Sequence, residues 1–253
     1  MATKDDRVPV LKTHKMYIGG KFPRTESGRY YKLHNPEGAL VANLCLASRK
    51  DVREAVVAAR SAWGGWAARP AFNRGQIIYR LAEMIEARKA TFADELQQMG
   101  VSAKDANEEV AATIDRVIHY AGWCDKYQQV FSTVNPVASS HFNFSLPEPM
   151  GVVAVVAPES SGLLGLVSHI LPVIAGGNTV IALASNSLPL SAISLAEAIH
   201  TSDVPGGVIN LLTGDAAELL PHLAGHMDIN GVVYARDDHE QVALLQAEAA
   251  GNV

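Results

Sequence analysis

Gly151-Val-Val-Ala-Val-Val-Ala157-Pro-Glu-Ser-Ser-Gly162, continuing into Leu163–Ala175, Gly176-Gly177 and Thr179–Ala182, decides the fold. The first seven residues are an uninterrupted apolar run of strand length, rich in β-branched side chains. A Pro-Glu-Ser-Ser-Gly break follows, then a longer apolar segment of helix length, a glycine stop and a second β-branched run. A strand without alternation is expected where both faces of the sheet are covered, as in a parallel sheet. Working outward, the pattern repeats with a helix near Ser191–His200, a strand at Val208–Leu212, a helix near Ala216–Ala224 and a strand at Val232–Tyr234. Alternating strands and helices at this spacing predict an α/β fold, a doubly wound parallel sheet with right-handed crossovers. Such sheets hold ligands beyond the carboxyl ends of their strands, so the residues just after each strand carry the functional information.

Composition narrows the partners. The chain has 253 residues, 48% hydrophobic and 19% charged, enough for a large core and unlike a disordered polymer. A net charge of −5 without a basic run argues against nucleic acid. Met1–Lys15 is polar and lacks the apolar centre of a secretory signal. Leu163–Ala175 is too short to cross a bilayer and is broken by Ser168, His169 and Pro172, so no membrane association is expected. Cys45 and Cys124 make neither a metal-ligand spacing nor a disulfide framework, which points to a reduced, cytoplasmic setting.

Ahead of the sheet, Met16–Lys21 and Tyr30–His34 read as two strands around a turn, and Leu40–Ala47 as a third. Ser48 with Asp51 opens a helix by a capping box, with Val52, Val56, Ala59 and Trp63 on one face. Asn73 with Gln76 gives a second start, followed by Ile77, Leu81 and Ile85. Ser102 with Asp105 gives a third, followed by Val110, Ile114, Val117 and Ala121. Three helices are thus expected before the sheet. Phe131–Leu146 is a different kind of segment. Its apolar residues Val134, Val137, Phe142, Phe144 and Leu146 alternate with small polar ones, predicting a β-hairpin excursion whose open edge invites another chain. The organisation read from these features is residues 1–130 as strands and helices of the sheet domain, 131–150 as a hairpin, and 151–253 as the sheet core.

The ordered set Ile18-Gly-Gly-Lys21, Asn35-Pro36, Ala58-Ala-Arg60, Asn73-Arg-Gly75, Tyr120-Ala-Gly-Trp123, Glu148-Pro-Met-Gly-Val-Val153, Gly177-Asn-Thr-Val180 and Pro205-Gly-Gly-Val-Ile-Asn210 resembles the amino-terminal half of an aldehyde dehydrogenase. It is most similar to the catalytically incomplete carboxy-terminal half of two-part family members, or a separately encoded version of it. The resemblance implies a Rossmann-like nucleotide domain and an oligomerisation hairpin. It also implies that the family's nucleophilic cysteine and general-base glutamate lie beyond the end of this sequence. Cys45 and Cys124 match neither, so no catalytic residue is assigned.

Three of the cofactor-contact regions that the resemblance implies have changed. The family's Pro-Trp-Asn-Phe-Pro, whose asparagine steadies the oxyanion, reads Pro158-Glu-Ser-Ser-Gly162, with Ser160 at the asparagine. Its Lys-Pro-Ala-Glu, which contacts the ribose, reads Leu183-Ala-Ser-Asn186. Leucine cannot donate to a hydroxyl, although Asn186 can. Each lost buried anchor costs ~1–3 kcal/mol. Its Phe-Thr-Gly-Ser, which receives the pyrophosphate at a helix amino terminus, reads Tyr234-Ala-Arg-Asp237, so that Asp237 is expected to cap that helix itself. Arg236 stands where a glycine allows close approach, and Gly214 is a remnant of a glycine-rich turn. Ser160, Leu183, Asn186, Gly214, Arg236 and Asp237 are therefore the family-matched positions for a cofactor, and no cofactor is expected to bind.

Simpler roles compete with function at several residues. Ser160 and Ser161 suit a loop or helix cap, since no base is positioned by spacing to activate them. His222 and His226 sit four apart, but Gly225 intervenes and no third ligand is apparent, so no metal site is expected. The expected function is a non-catalytic subunit that assembles with a complete aldehyde dehydrogenase chain, or with itself. Its contacts would be the 131–150 hairpin and the sheet-domain face left uncovered. Two alternatives remain open: an NAD-dependent aldehyde oxidoreductase that borrows its cysteine and glutamate from another chain, and a module using Arg236 and Asn186 for a different ligand.

Overall fold

The computed structural model describes residues 12–252; the polar reading of the amino terminus falls largely on residues 1–11, outside them. In chain order the elements are β1 (Thr13–His14), β2 (Tyr30–His34), β3 (Leu40–Cys45), α1 (Arg49–Ala67), α2 (Ala71–Glu86), α3 (Lys89–Gln98), α4 (Ala103–Ala121), α5 (Tyr127–Phe131), the hairpin β4 (Thr133–Asn135) and β5 (Asn143–Ser145), β6 (Val152–Val156), α6 (Leu164–Ala175), β7 (Thr179–Leu183), α7 (Leu190–Thr201), β8 (Ile209–Leu212), α8 (Ala216–Ala224), β9 (Gly231–Tyr234) and α9 (His239–Ala250).

The core is a four-stranded parallel sheet in the order β8-β7-β6-β9. Its strands lack alternation because successive side chains enter two different buried layers. Val153 and Val155 of β6 and Val180 and Ala182 of β7 pack with α6 and α7. Val152, Ala154 and Val156, with Ile181 and Leu183, pack with α1 and α8. This is the Rossmann-like doubly wound architecture. Helices α2, α3 and α4 form an outer layer against α6 and α7. A buried arginine locks that layer in place: Arg74 Nη1 donates to Arg69 O at 2.6 Å and Nε to Ala175 O at 3.3 Å. Ahead of β6, Gly151 has φ +131°, and a β-carbon there would fall 2.1 Å from Asn230 Oδ1. That oxygen receives Val152 N–H at 3.0 Å and ties β6 to the segment entering β9.

Several expectations from the sequence change. Met16–Lys21 is no strand partner of Tyr30–His34. Gly19 and Gly20 turn the chain so that Ile18 and Lys21 pair with each other, and Tyr17 exchanges two hydrogen bonds with Leu211 at the outer edge of β8. β2 pairs instead with β3. Helix α2 begins at Ala71 after Pro70, with Asn73 already inside and accepting from Arg69. The buried tryptophan of α1 is Trp66, whose indole N–H donates to Ile174 O at 2.9 Å; Trp63 is half-buried. Helix α3 has only Phe92, Ala93 and Leu96 buried and no capping side chain, too weak a pattern to be seen in the sequence. The Ser48/Asp51 and Ser102/Asp105 starts are formed: Asp51 Oδ2 accepts from Ser48 N at 2.7 Å, and Ser102 Oγ from Asp105 N at 3.1 Å. Among the described residues no helix is long and apolar enough to cross a membrane.

Candidate cofactor crevice

The carboxyl ends of β6, β7 and β9 converge on one crevice, and Arg236 lies across it. Its Nε donates to Ala157 O at 2.9 Å, just past β6, and its Nη2 to Ala184 O at 3.4 Å, just past β7. Its Nη1 pairs with Glu159 Oε1 at 2.7 Å, with the arginine side chain 13% exposed. One side chain therefore ties the ends of three adjacent strands.

Glu159 is the second half of this plug. Its Oε2 accepts from Ser185 Oγ and Ser187 Oγ, both at 2.8 Å, from Asn186 N at 2.9 Å and from Ser187 N at 3.1 Å. The loop after β7 thus turns its amides and hydroxyls onto a carboxylate of this chain. Burial works to raise the pKa of that carboxyl. The Ser187 hydroxyl and amide, the Ser185 hydroxyl and the Arg236 charge outweigh it and hold the pKa below the ordinary value.

Helix amino termini are the other anion sites of such a crevice. At the start of α6, Glu109 from α4 takes the donors: its Oε1 accepts from Leu163 N at 2.9 Å, Leu164 N at 3.0 Å and Ser161 Oγ at 2.8 Å. Ser161 in turn accepts from Gly165 N at 2.7 Å. At the start of α9, Asp238 Oδ1 accepts from Glu240 N and Gln241 N, each at 3.1 Å. The expected cap was Asp237, which is exposed; Asp238 caps instead, because it is the residue immediately before the first helical turn. Three carboxylates of the chain, on Glu159, Glu109 and Asp238, therefore occupy the amide and hydroxyl donors at these positions.

The remaining family-matched residues are dispersed. Ser160 is exposed at the mouth of a cavity of about 420 Å³ that Glu159, Tyr234, Arg236 and Asp237 also line. Leu183 is wholly buried in the layer against α1 and α8. Asn186 is exposed and engaged through its backbone amide. Gly214 packs against Ala47, where a β-carbon would fall 3.1 Å from Ala47 N, so it serves contact with the β3–α1 connection. Only Ser160, Arg236 and Asp237 share the cavity. The sequence reading did not single out Glu159 or Glu109. A glutamate beside two serines reads as an ordinary loop, and its partner lies 77 positions away by number, where spacing carries no signal.

Neither cysteine faces this crevice as a nucleophile. Both are buried, and Cys124, whose thiol lies 3.4 Å from Tyr120 O, has its pKa pushed up to about 11 by burial, the opposite of an activated thiol.

Comparison with known proteins places this architecture. Residues 22–235 match the profile of the aldehyde dehydrogenase family, so the chain belongs to that family. It is 30% identical over 246 residues to the cytosolic 10-formyltetrahydrofolate dehydrogenase of Xenopus tropicalis, covering 95% of this chain and 27% of that protein. It is 31% identical over 227 residues to the putative aldehyde dehydrogenase DhaS of Bacillus subtilis, covering 88% of this chain and 45% of that one. Among solved structures, the NAD+ complex of a Bacillus cereus aldehyde dehydrogenase superposes with a TM-score of 0.90 at 27% identity, over 95% of this chain and 49% of that one. The chain spans half or less of the length of these relatives.

Proposed function

We propose that this chain is a non-catalytic aldehyde dehydrogenase-like subunit, cytoplasmic, that does not bind NAD and acts by assembling with a complete aldehyde dehydrogenase chain or with a second copy. The observation that carries this reading is the Arg236–Glu159 plug, whose charge and hydrogen bonds fill the crevice mouth from within. A dinucleotide would have to break the Arg236–Glu159 pair and displace capping carboxylates while bringing like charge to each carboxylate. The assembly half of the reading is supported by the surface. The hairpin exposes Val134, Phe142, Phe144 and Leu146, and β9 is half-buried along its whole length while β6, β7 and β8 are fully buried. Helix α9 over that edge buries only Leu245. Open apolar surface of this kind marks an interface.

The second reading is an NAD-dependent aldehyde oxidoreductase with cysteine and glutamate supplied by another chain. It is favoured by the close backbone match to a relative solved with NAD+. Calorimetric titration of NAD+ into the pure chain separates the two. No heat up to millimolar cofactor supports the subunit reading; micromolar affinity overturns it. Affinity capture of a full-length aldehyde dehydrogenase chain from the native cell tests assembly.

A further inference from the structure

Helix α3 meets β1, β3 and the start of α7 around a cavity of about 240 Å³, away from the crevice. Thr91, Asp94, Glu95 and Gln98 stand at helical spacing on one side of α3 and give the cavity a polar wall. Val41 and Leu190 give it an apolar one, and His14 of β1 also lines it. Two atoms of these residues, Glu95 Oε2 and His14 Nδ1, are shut off from solvent and find no hydrogen-bond partner among the described residues. Nearly all buried polar atoms in folded proteins are partnered, so two orphans lining one cavity call for a ligand that meets both. The other oxygen of Glu95 accepts from Ser194 Oγ at 2.6 Å, which holds the carboxyl in place.

Charge and shape select the ligand. Around Glu95 stand Asp94 on its own helix, His14 on β1, and Lys12 and Glu197, which pair with each other at 3.6 Å. Burial and the Lys12 charge hold the His14 pKa below its ordinary value, so the imidazole is neutral and its Nδ1 is free to accept. Asp94, Glu95 and Glu197 against Lys12 leave the site negative, which repels an anion. A neutral donor would leave the buried carboxylate uncompensated. A bare metal ion fits poorly: no three ligating side chains converge among the described residues, and the cavity is many times the ~30 Å³ of one water. We propose that this cavity binds a small primary alkylammonium ion, its NH3+ donating to Glu95 Oε2 and His14 Nδ1 and its carbon chain lying on Val41 and Leu190. The third N–H is directed to the Asp94 side of the cavity, so that all three donors are used. The site is independent of the crevice and of assembly. It also carries a signature. The Glu95 carboxyl is pushed up to about 7 by burial, and the ammonium takes the place of its proton, so affinity climbs with pH up to about 7 and levels off above it.

The test is an NMR-detected titration of the full chain with n-butylammonium chloride at pH 6 and pH 8, with n-butanol and KCl as comparators. The expected result is saturable shifts at His14, Leu190 and Ser194, with a dissociation constant on the order of 1 mM at pH 8 and about ten-fold weaker at pH 6. Glu95→Gln keeps an acceptor for Ser194 and removes the charge. It should weaken binding at pH 8 at least ~10-fold and abolish the pH dependence, with a thermal melt confirming the fold. n-Butanol should bind at least ~10-fold more weakly than the ammonium at pH 8, and equally at both pH values. No saturation up to ~50 mM overturns the proposal and leaves a cavity that holds water only. KCl that displaces the alkylammonium at equal concentration overturns it in favour of an alkali cation. Wild-type affinity in Glu95→Gln overturns the role of the carboxylate. Should that variant not fold, equal wild-type affinities at pH 6 and pH 8 overturn it on their own.

Discussion

Removing Arg236 tests whether the crevice is a structural staple. In Arg236→Ala, Ala157 O and Ala184 O lose their side-chain donors and Glu159 loses the guanidinium paired with it at 2.7 Å. Breaking a fully buried pair costs about 3–5 kcal/mol, whereas an exposed pair contributes about 0–1. Here the arginine is 13% and the glutamate 39% exposed, and Glu159 keeps its serine and amide donors, so the cost falls between, at about 2–3 kcal/mol. For a chain of this size that corresponds to a fall in Tm of roughly 4–12 °C, and in urea to a lower midpoint at unchanged slope. Arg236→Lys should recover only part, because one ammonium cannot reach two carbonyls and a carboxylate in the guanidinium's geometry. The pH dependence has a definite sign. The Glu159 pKa is depressed in the folded state, so its stabilisation is present above the ordinary value of 4.5 and is lost as pH falls through the lower folded value. The gap between wild type and variant should therefore narrow in acid. A gap under about 0.5 kcal/mol at neutral pH, or one that does not change in acid, refutes the staple.

Three further outcomes follow from particular residues. Asp238→Ala should cost about 1 kcal/mol and speed amide exchange at the start of α9, while Asp237→Ala should be nearly neutral; equal effects would return the cap to Asp237. Glu95, whose carboxyl is pushed up to about 7 by burial against the help of Ser194 Oγ at 2.6 Å, destabilises the fold once ionised. Because the folded state holds that proton more tightly, the penalty grows between pH 4.5 and about 7 and reaches at most ~3 kcal/mol above it. Glu95→Gln should then raise the melting temperature at pH 8 and leave it unchanged at pH 5, and a pH-independent effect would refute this. Gly151→Ala should cost at least ~1–3 kcal/mol in chemical denaturation, from the left-handed backbone and the collision with Asn230; a neutral result would mean that Asn230 moves aside freely.

The sequence by itself determined the sheet. Val152–Val156 and Thr179–Leu183 are apolar on every residue, and a strand with two buried faces has few alternatives to the centre of a parallel sheet. It also determined the hairpin and the start of α1, because alternation and capping are local and their partners lie a few residues away. The same locality explains the errors. Met16–Lys21 has strand composition, yet Tyr17 finds its partner at Leu211; Trp66 rather than Trp63 is buried because Ile174 O lies beside its indole. Weak local signals hid α3 entirely.

At the crevice the sequence told which residues had changed but not what they had become. Serine, leucine and arginine–aspartate at the matched positions read as separate losses of contact. Tertiary structure alone decided that Arg236 and Glu159 meet, that Glu109 crosses from α4 to the start of α6, and that Asp238 turns inward while Asp237 turns out. The physical reason is distance along the chain. Burial periodicity is encoded every two or four residues, whereas an ion pair between residues 159 and 236 exists only once β6 and β9 lie side by side in register.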